Sequence, residues 1–158
     1  MRNLLLVNLL LALLWAAFQQ LRPIDIVGGF IIGYLLLWLL SGVSPEARSY
    51  TLRLGRWIGF IFYYLWLLAT STLDVARWVF RDRRTMKPGI IALPLDAETD
   101  LEIVLLNSLL SMTPGTLGVD ISPDRRVLYV HCINVPDPAH MKQSIKDGLE
   151  RRLLQTLR

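Results

Sequence analysis

Cysteine is nearly missing from this chain: Cys132 is the single one among 158 residues. That excludes a disulfide framework and any multi-cysteine metal cluster. The glycines form neither a phosphate loop nor a dinucleotide fingerprint, so nothing supports nucleotide binding by a known route. Charge is scarce at one end. The first 80 residues carry nine charged side chains and the remaining 78 carry twenty-one. A soluble domain of this size does not gather its apolar residues at one end, so a single globular fold is excluded. Disorder is excluded too, because a chain that is 53% hydrophobic buries or inserts rather than staying solvated. The net charge of +4 is modest, and most of it lies beside the apolar region. That points to a membrane surface rather than nucleic acid, for which the polar half lacks interleaved basic and aromatic residues.

What the first half does contain is three charge-free windows, Asn3 to Leu21, Ile26 to Pro45 and Trp57 to Leu73, of 19, 20 and 17 residues. A hydrocarbon core takes about 20 apolar helical residues. The densest apolar parts, Leu4 to Phe18 and Ile26 to Leu40, are short. At about 1.5 Å per residue each reaches only roughly 22 Å. The first two segments therefore tilt, thin the bilayer, or form a hairpin that does not fully cross. Arg2 ahead of an apolar run resembles a signal peptide. The following Trp15-Ala16-Ala17-Phe18-Gln19-Gln20 has no small-x-small cleavage site, so the first segment is expected to stay.

Arg77, Arg81, Arg83, Arg84 and Lys87 follow the third segment, which places that end and the polar half after it in the cytoplasm. Each segment also carries small residues four apart: Ala12 and Ala16, Gly29 and Gly33, Gly55 and Gly59. Small residues let helix backbones approach closely where large apolar side chains gain nothing over lipid. With so few spans in this chain, the expected neighbours are other chains. The charged groups near membrane depth are Asp25, at a turn, and Asp74, near the cytoplasmic end of the third segment. Asp74 and Arg77 lie three apart on one helical face and are expected to pair. No series of ionisable groups runs through the segments, as an ion path would require.

Pro88-Gly89 opens a different pattern. Ile90, Ile91, Ala92 and Leu93 form a short strand framed by Pro88 and Pro94. Thr99-Asp100-Leu101-Glu102 is a capping box, and its helix runs to about Met112, where Thr113-Pro114-Gly115 stops it. That helix is apolar around most of its circumference, which requires burial on more than one side. Leu117 to Ile121 and Arg126 to Val135 flank Ser122-Pro123-Asp124-Arg125, a type I turn sequence, and form an antiparallel hairpin. Asp137-Pro138 caps a last helix in which Met141, Ile145, Leu149, Leu153 and Leu157 recur every four residues. The order strand, helix, strand, strand, helix predicts a ferredoxin-like βαββα domain lacking its last strand. The edge of the first strand, Ile90 to Leu93, is then open for a partner to extend.

Catalytic chemistry finds no foothold. His131 and Cys132 are adjacent in a strand and point to opposite faces, and His140 sits in the first turn of the last helix. The acidic stretch Asp96, Glu98, Asp100 and Glu102 is accounted for in part by helix capping, and no second ligand cluster accompanies it. No metal and no cofactor is expected.

The motifs Pro88-Gly89-Ile90-Ile91-Ala92, Leu110-Ser111-Met112-Thr113-Pro114-Gly115-Thr116-Leu117, Ser122-Pro123-Asp124-Arg125-Arg126-Val127-Leu128-Tyr129-Val130-His131 and Val135-Pro136-Asp137-Pro138 are together specific. With Thr99-Asp100-Leu101-Glu102, they resemble the E subunit of Mrp-type multisubunit sodium/proton antiporters along the whole chain. The resemblance implies a multi-pass accessory subunit of a prokaryotic inner-membrane assembly that exchanges sodium for protons. Its role there is assembly or stability, with transport residues on larger subunits. The expected organisation is a membrane region of two or three helical spans at 1–80, a basic linker at 81–88 and a cytoplasmic α+β domain at 89–158. The alternative is a self-contained membrane-anchored sensor or binding module built on that domain.

Overall fold

The computed structural model describes residues 2–80 and 86–158. Arg81, Arg83 and Arg84 of the expected basic linker fall outside them. The chain divides into two compact units, Met1–Ile58 and Gly59–Arg158.

The first unit holds helices α1 (Arg2–Phe18) and α2 (Pro23–Leu39) and the start of α3 (Pro45–Val79). Between α1 and α2 the chain reverses through Leu21, whose N–H donates to the Ala16 carbonyl at 3.0 Å and whose φ is 54°. A left-handed leucine is strained, and its position fixes the turn directly ahead of Pro23. Pro23 then starts α2, where its missing N–H costs nothing. Ser44 and Pro45 start α3 in the same way, with the Ala47 N–H donating to Ser44 Oγ at 3.3 Å. Pro23–Gly42 and Pro45–Val79 are long and apolar enough to cross a membrane, and Leu4–Phe18 is a shorter apolar helix.

The second unit joins the rest of α3 to a three-stranded antiparallel sheet and its helices. In chain order these are β1 (Gly89–Pro94), α4 (Asp100–Met112), β2 (Thr116–Ile121), β3 (Val127–Cys132), α5 (Pro138–Ile145) and α6 (Arg151–Leu157). The sheet order is β1-β3-β2, with Ile91 opposite Val130 and Leu117 opposite His131. Alternation along the strands sends Ile91, Leu93, Leu128, Val130 and Cys132 inward. They meet Leu106 and Leu110 of α4, Ile145, Leu149 and Leu153 of the last helices, and Phe60 of α3. Tyr63, Tyr64 and Leu67 of α3 pack on the same core, and Tyr64 Oη donates to the Leu109 carbonyl at 2.9 Å. This explains the strongly apolar α4, which has the sheet on one side and α3 on another.

The last helix is interrupted where its sequence pattern demands it. An α-helix turns about 100° per residue, so apolar residues four apart advance about 40° per step. Four steps from Met141 to Leu157 would carry the stripe about 160° around a regular helix. Instead Lys146–Glu150 form a π-turn, which takes up extra residues per turn and keeps the series on the core.

That turn also buries Glu150, whose Oε1 accepts from the Asp96 and Ala97 N–H groups at 2.6 and 3.2 Å. Lys146 reaches the Pro94 carbonyl at 2.8 Å and Asp96 at 2.9 Å. Helix α4 is capped as its sequence predicts, with Thr99 Oγ1 accepting from Glu102 N–H and Glu102 Oε2 accepting from Thr99 N–H at 3.1 Å. Glu102 is buried and binds Arg158 through both oxygens, at 2.9 and 3.2 Å. The Arg158 guanidinium and the Glu98 and Thr99 amides together hold the Glu102 carboxyl down at about 2. A depressed carboxyl pKa stabilises the fold fully above its unfolded value near 4.5, and this contribution is lost as pH falls toward 2. Glu102→Gln is expected to destabilise the second unit by about 1–3 kcal/mol at pH 7. It should also flatten the stability profile between pH 4.5 and 2; thermal unfolding of the full chain across that range checks both.

Candidate functional site

Three surfaces carry the residues that the sequence singles out. The first is the small-residue packing of α1 and α2. Asn8, Ala12 and Ala16 form a fully buried stripe on α1, facing Gly29, Gly33 and Leu37 of α2. A Cβ on Gly29 would lie 2.8 Å from the Ala12 carbonyl oxygen, so the two backbones are at the limit of approach. A Cβ on Gly33 would collide with Asn8 Oδ1. That oxygen has no hydrogen-bond partner among the described residues, and it lies against Gly33, where a Cα–H is a weak donor. The Asn8 amide donates to Tyr50 Oη of α3 at 2.9 Å. Asn8 therefore ties three helices together, and a search of the sequence for small residues alone passes over it. These glycines and alanines face one another within this chain, whereas the sequence pattern points to other chains. Gly55 and Gly59 on α3 differ: nothing lies within 4 Å of a Cβ placed on either.

The second surface is the sheet. The Leu95 N–H donates to the Arg126 carbonyl at 2.8 Å, so odd positions of β1 face β3 and the even ones face away. The outer edge therefore falls to Ile90 and Ala92, flanked by Pro88 and Pro94, neither of which has an N–H. The outer face of the sheet presents Ile90, Leu117, Val119 and Tyr129, all exposed, together with the exposed carboxylate of Asp120 opposite Tyr129. Antiparallel sheets that face water carry polar residues there. His131 lies on this outer face and is partly exposed, while Cys132 is in the core, where burial pushes its thiol pKa up. Those two side chains do not meet.

The third surface is the second half of α3. One face packs on the α+β core. The other exposes Ile61, Phe62, Leu65, Trp66 and Leu73. Arg77 Nη1 donates to Asp74 Oδ1 at 2.7 Å, and both side chains are more than half exposed. Among the described residues no group of His, Cys, Asp and Glu could hold a metal ion.

Gly33→Ala should push Asn8 out of place and cost about 1–3 kcal/mol, as overpacking does. Adding Asn8→Ala should recover part of that loss. A double-mutant cycle on thermal unfolding of the full chain in detergent measures the coupling; strictly additive losses would show that the two residues do not interact.

Comparison with known proteins agrees with this architecture. Residues 8–156 match the family described as Na+/H+ ion antiporter subunit, almost from end to end. The E subunit of the Na+/H+ antiporter of Alkalihalophilus pseudofirmus is 34% identical over 152 residues, 96% of either chain. The E1 subunit of the Staphylococcus epidermidis antiporter is 33% identical over 146 residues, 92% of this chain and 91% of that one. Among solved structures, a chain of the Mrp complex from Dietzia sp. is 28% identical, with a TM-score of 0.52 over 64% of this chain and 94% of that one. A chain of the archaeal membrane-bound sulfane sulfur reductase shares the fold at a TM-score of 0.56 and 22% identity, over 97% and 98%. The stand-alone sensor considered from sequence gives way to a component of a larger assembly: the chain belongs to the family of Na+/H+ antiporter E subunits.

Proposed function

We propose that this chain is an accessory subunit that assembles and stabilises a multisubunit Na+/H+ antiporter, with the ion path on companion subunits. The observation that carries this reading is how the polar groups of the apolar helices are used. The Asn8 amide donates to Tyr50 Oη, Thr51 Oγ1 donates to the Ala47 carbonyl at 3.0 Å, and Asp74 is paired with Arg77. A proton or sodium ion crossing lipid needs a series of ionisable or coordinating groups; of these residues only Asp74 is an acid, and it lies beside Arg77 near the end of α3.

On the same reading the chain is multi-pass, with 1–80 as its membrane region, 81–88 as a basic linker and 89–158 on the cytoplasmic side. Lys87 and the arginines after α3 support that orientation. The sheet order β1-β3-β2 fits a ferredoxin-like βαββα domain without its last strand. Its open β1 edge at Ile90 to Leu93 and the exposed apolar side chains of its outer face, Ile90, Leu117, Val119 and Tyr129, are the partner-facing surfaces of the domain. Gly55 and Gly59 are the small residues left over for a companion helix. Ala12, Ala16, Gly29 and Gly33 set the α1–α2 pair that such companions meet.

Two measurements test the reading. Reconstituted alone in sealed vesicles, the chain should produce no sodium-driven pH change. Removing it from the antiporter operon should lower recovery of the intact complex several-fold and reduce antiport with it. Sustained antiport by the chain alone, or full recovery of complex without it, would overturn the proposal.

A further inference from the structure

The second unit contains a cleft of about 380 Å³ between α3, the α4–β2 corner and α5, within the size range of small-ligand sites. Its floor is core: Leu67, Leu110, Cys132, Ile145 and Leu149. The Thr113-Pro114-Gly115-Thr116 turn walls one side. Gly115 has a φ of 92°, and a Cβ there would touch Val75 and Ile133 at 3.3 Å, so the turn is seated tightly against α3.

Six hydroxyls line this space, those of Tyr63, Thr70, Ser71, Thr113, Thr116 and Ser144, and four of them are turned onto backbone carbonyls. Thr70 and Ser71 donate to the Leu67 carbonyl at 3.0 and 2.6 Å, Thr113 to the Leu109 carbonyl at 2.8 Å and Thr116 to the Leu110 carbonyl at 2.7 Å. A sugar, nucleotide or free phosphate needs several donors, and four of these six hydroxyls are already used by the backbone. The floor of the cleft, built from Leu67, Leu110, Cys132, Ile145 and Leu149, suits hydrocarbon. Its charged lining residue is Asp74, which carries Arg77 beside it at 2.7 Å. Both side chains keep free hydrogen-bonding capacity, since more than half of each is exposed.

We propose that this cleft takes one acyl chain of a zwitterionic membrane phospholipid, with Arg77 meeting its phosphate and Asp74 its ammonium group. The proposal rests on the membrane-subunit reading above. The opposite face of the same helix stretch exposes Phe62, Trp66 and Leu73 and offers lipid a route to the chain.

The probe is phosphatidylethanolamine bearing a diazirine in one acyl chain, in vesicles containing the full chain within its complex. After photolysis, peptides holding Leu110, Cys132 and Ile145 should be labelled, along with those holding Phe62 and Trp66. Ser71→Trp, which fills the cleft, and Asp74→Asn, which removes the ammonium partner, should each cut cleft labelling at least five-fold. The Phe62 and Trp66 peptides serve as the internal reference and should not change. No cleft labelling in the wild-type complex, or labelling unaffected by Ser71→Trp, overturns the acyl site; labelling unaffected by Asp74→Asn overturns the headgroup assignment. Recovery of the complex is scored on the same samples, so an intact assembly with an unlabelled cleft sinks this inference while leaving the subunit reading standing.

Discussion

The second unit depends on one constraint: helix α3 is apolar on both faces from Gly59 onward, and among the described residues this unit covers only one of them. Phe60, Tyr63, Tyr64 and Leu67 are taken into the α+β core, and Tyr64 is fixed by its hydrogen bond to the end of α4. The sheet is small, with three strands of six residues each. Helices α4 to α6 close it on one side, and α3 adds the aromatic bulk that so small a sheet cannot supply. Ile61, Phe62, Leu65 and Trp66, on the other face, stay exposed. A run of exposed large side chains like these calls for lipid or another protein. The fold of the second unit is thus complete only on the side that faces its own core.

Much of the local structure is legible in the sequence because it is determined within a few residues. The Thr99–Glu102 capping box forms as its spacing requires. Asp137 accepts from the Ala139 and His140 N–H groups and holds Pro138 in the first turn of α5. The Ser122–Arg125 turn closes with Arg125 N–H on the Ser122 carbonyl at 2.8 Å. Alternation along β1 and β3 assigns the inward side chains, since a strand has only two faces. Composition and motif together also point to the family, as the match over residues 8–156 shows.

What the sequence hides depends on partners distant along the chain. Small residues four apart mark a close helix contact but do not say with which helix. Gly29 and Gly33 meet α1, whereas Gly55 and Gly59 have open space beside them. Arg158 suits the negative end of its own helix, yet it reaches back to Glu102, 56 positions away. That α3 joins the α+β core from Phe60 onward is hidden because the window from Trp57 to Leu73 looks equally apolar on its covered and uncovered faces. One signal is present in the sequence and easily overlooked. An apolar repeat of four sustained over five residues cannot stay on one face of a regular helix, and this mismatch accounts for the π-turn at Lys146–Glu150.

That π-turn connects the chain's charge placement to its packing. Extending the turn swings Glu150 inward, where its carboxylate collects the two amides that begin the β1–α4 connection. Lys146, one turn earlier, neutralises the site from the rim and takes the Pro94 carbonyl as well. Glu102 and Arg158 close the other end of the same connection. An ion pair left in water contributes little, but a buried carboxylate bonded to backbone amides holds a loop in one conformation, because releasing it would leave those amides unpaired. The buried carboxylates of this unit, Glu150 and Glu102, are therefore spent on fixing the exit of β1, the strand whose outer edge is open. The exit of β1 is thus held by buried charge, while the outer face of the same sheet leaves Ile90, Leu117 and Tyr129 exposed beside the carboxylate of Asp120.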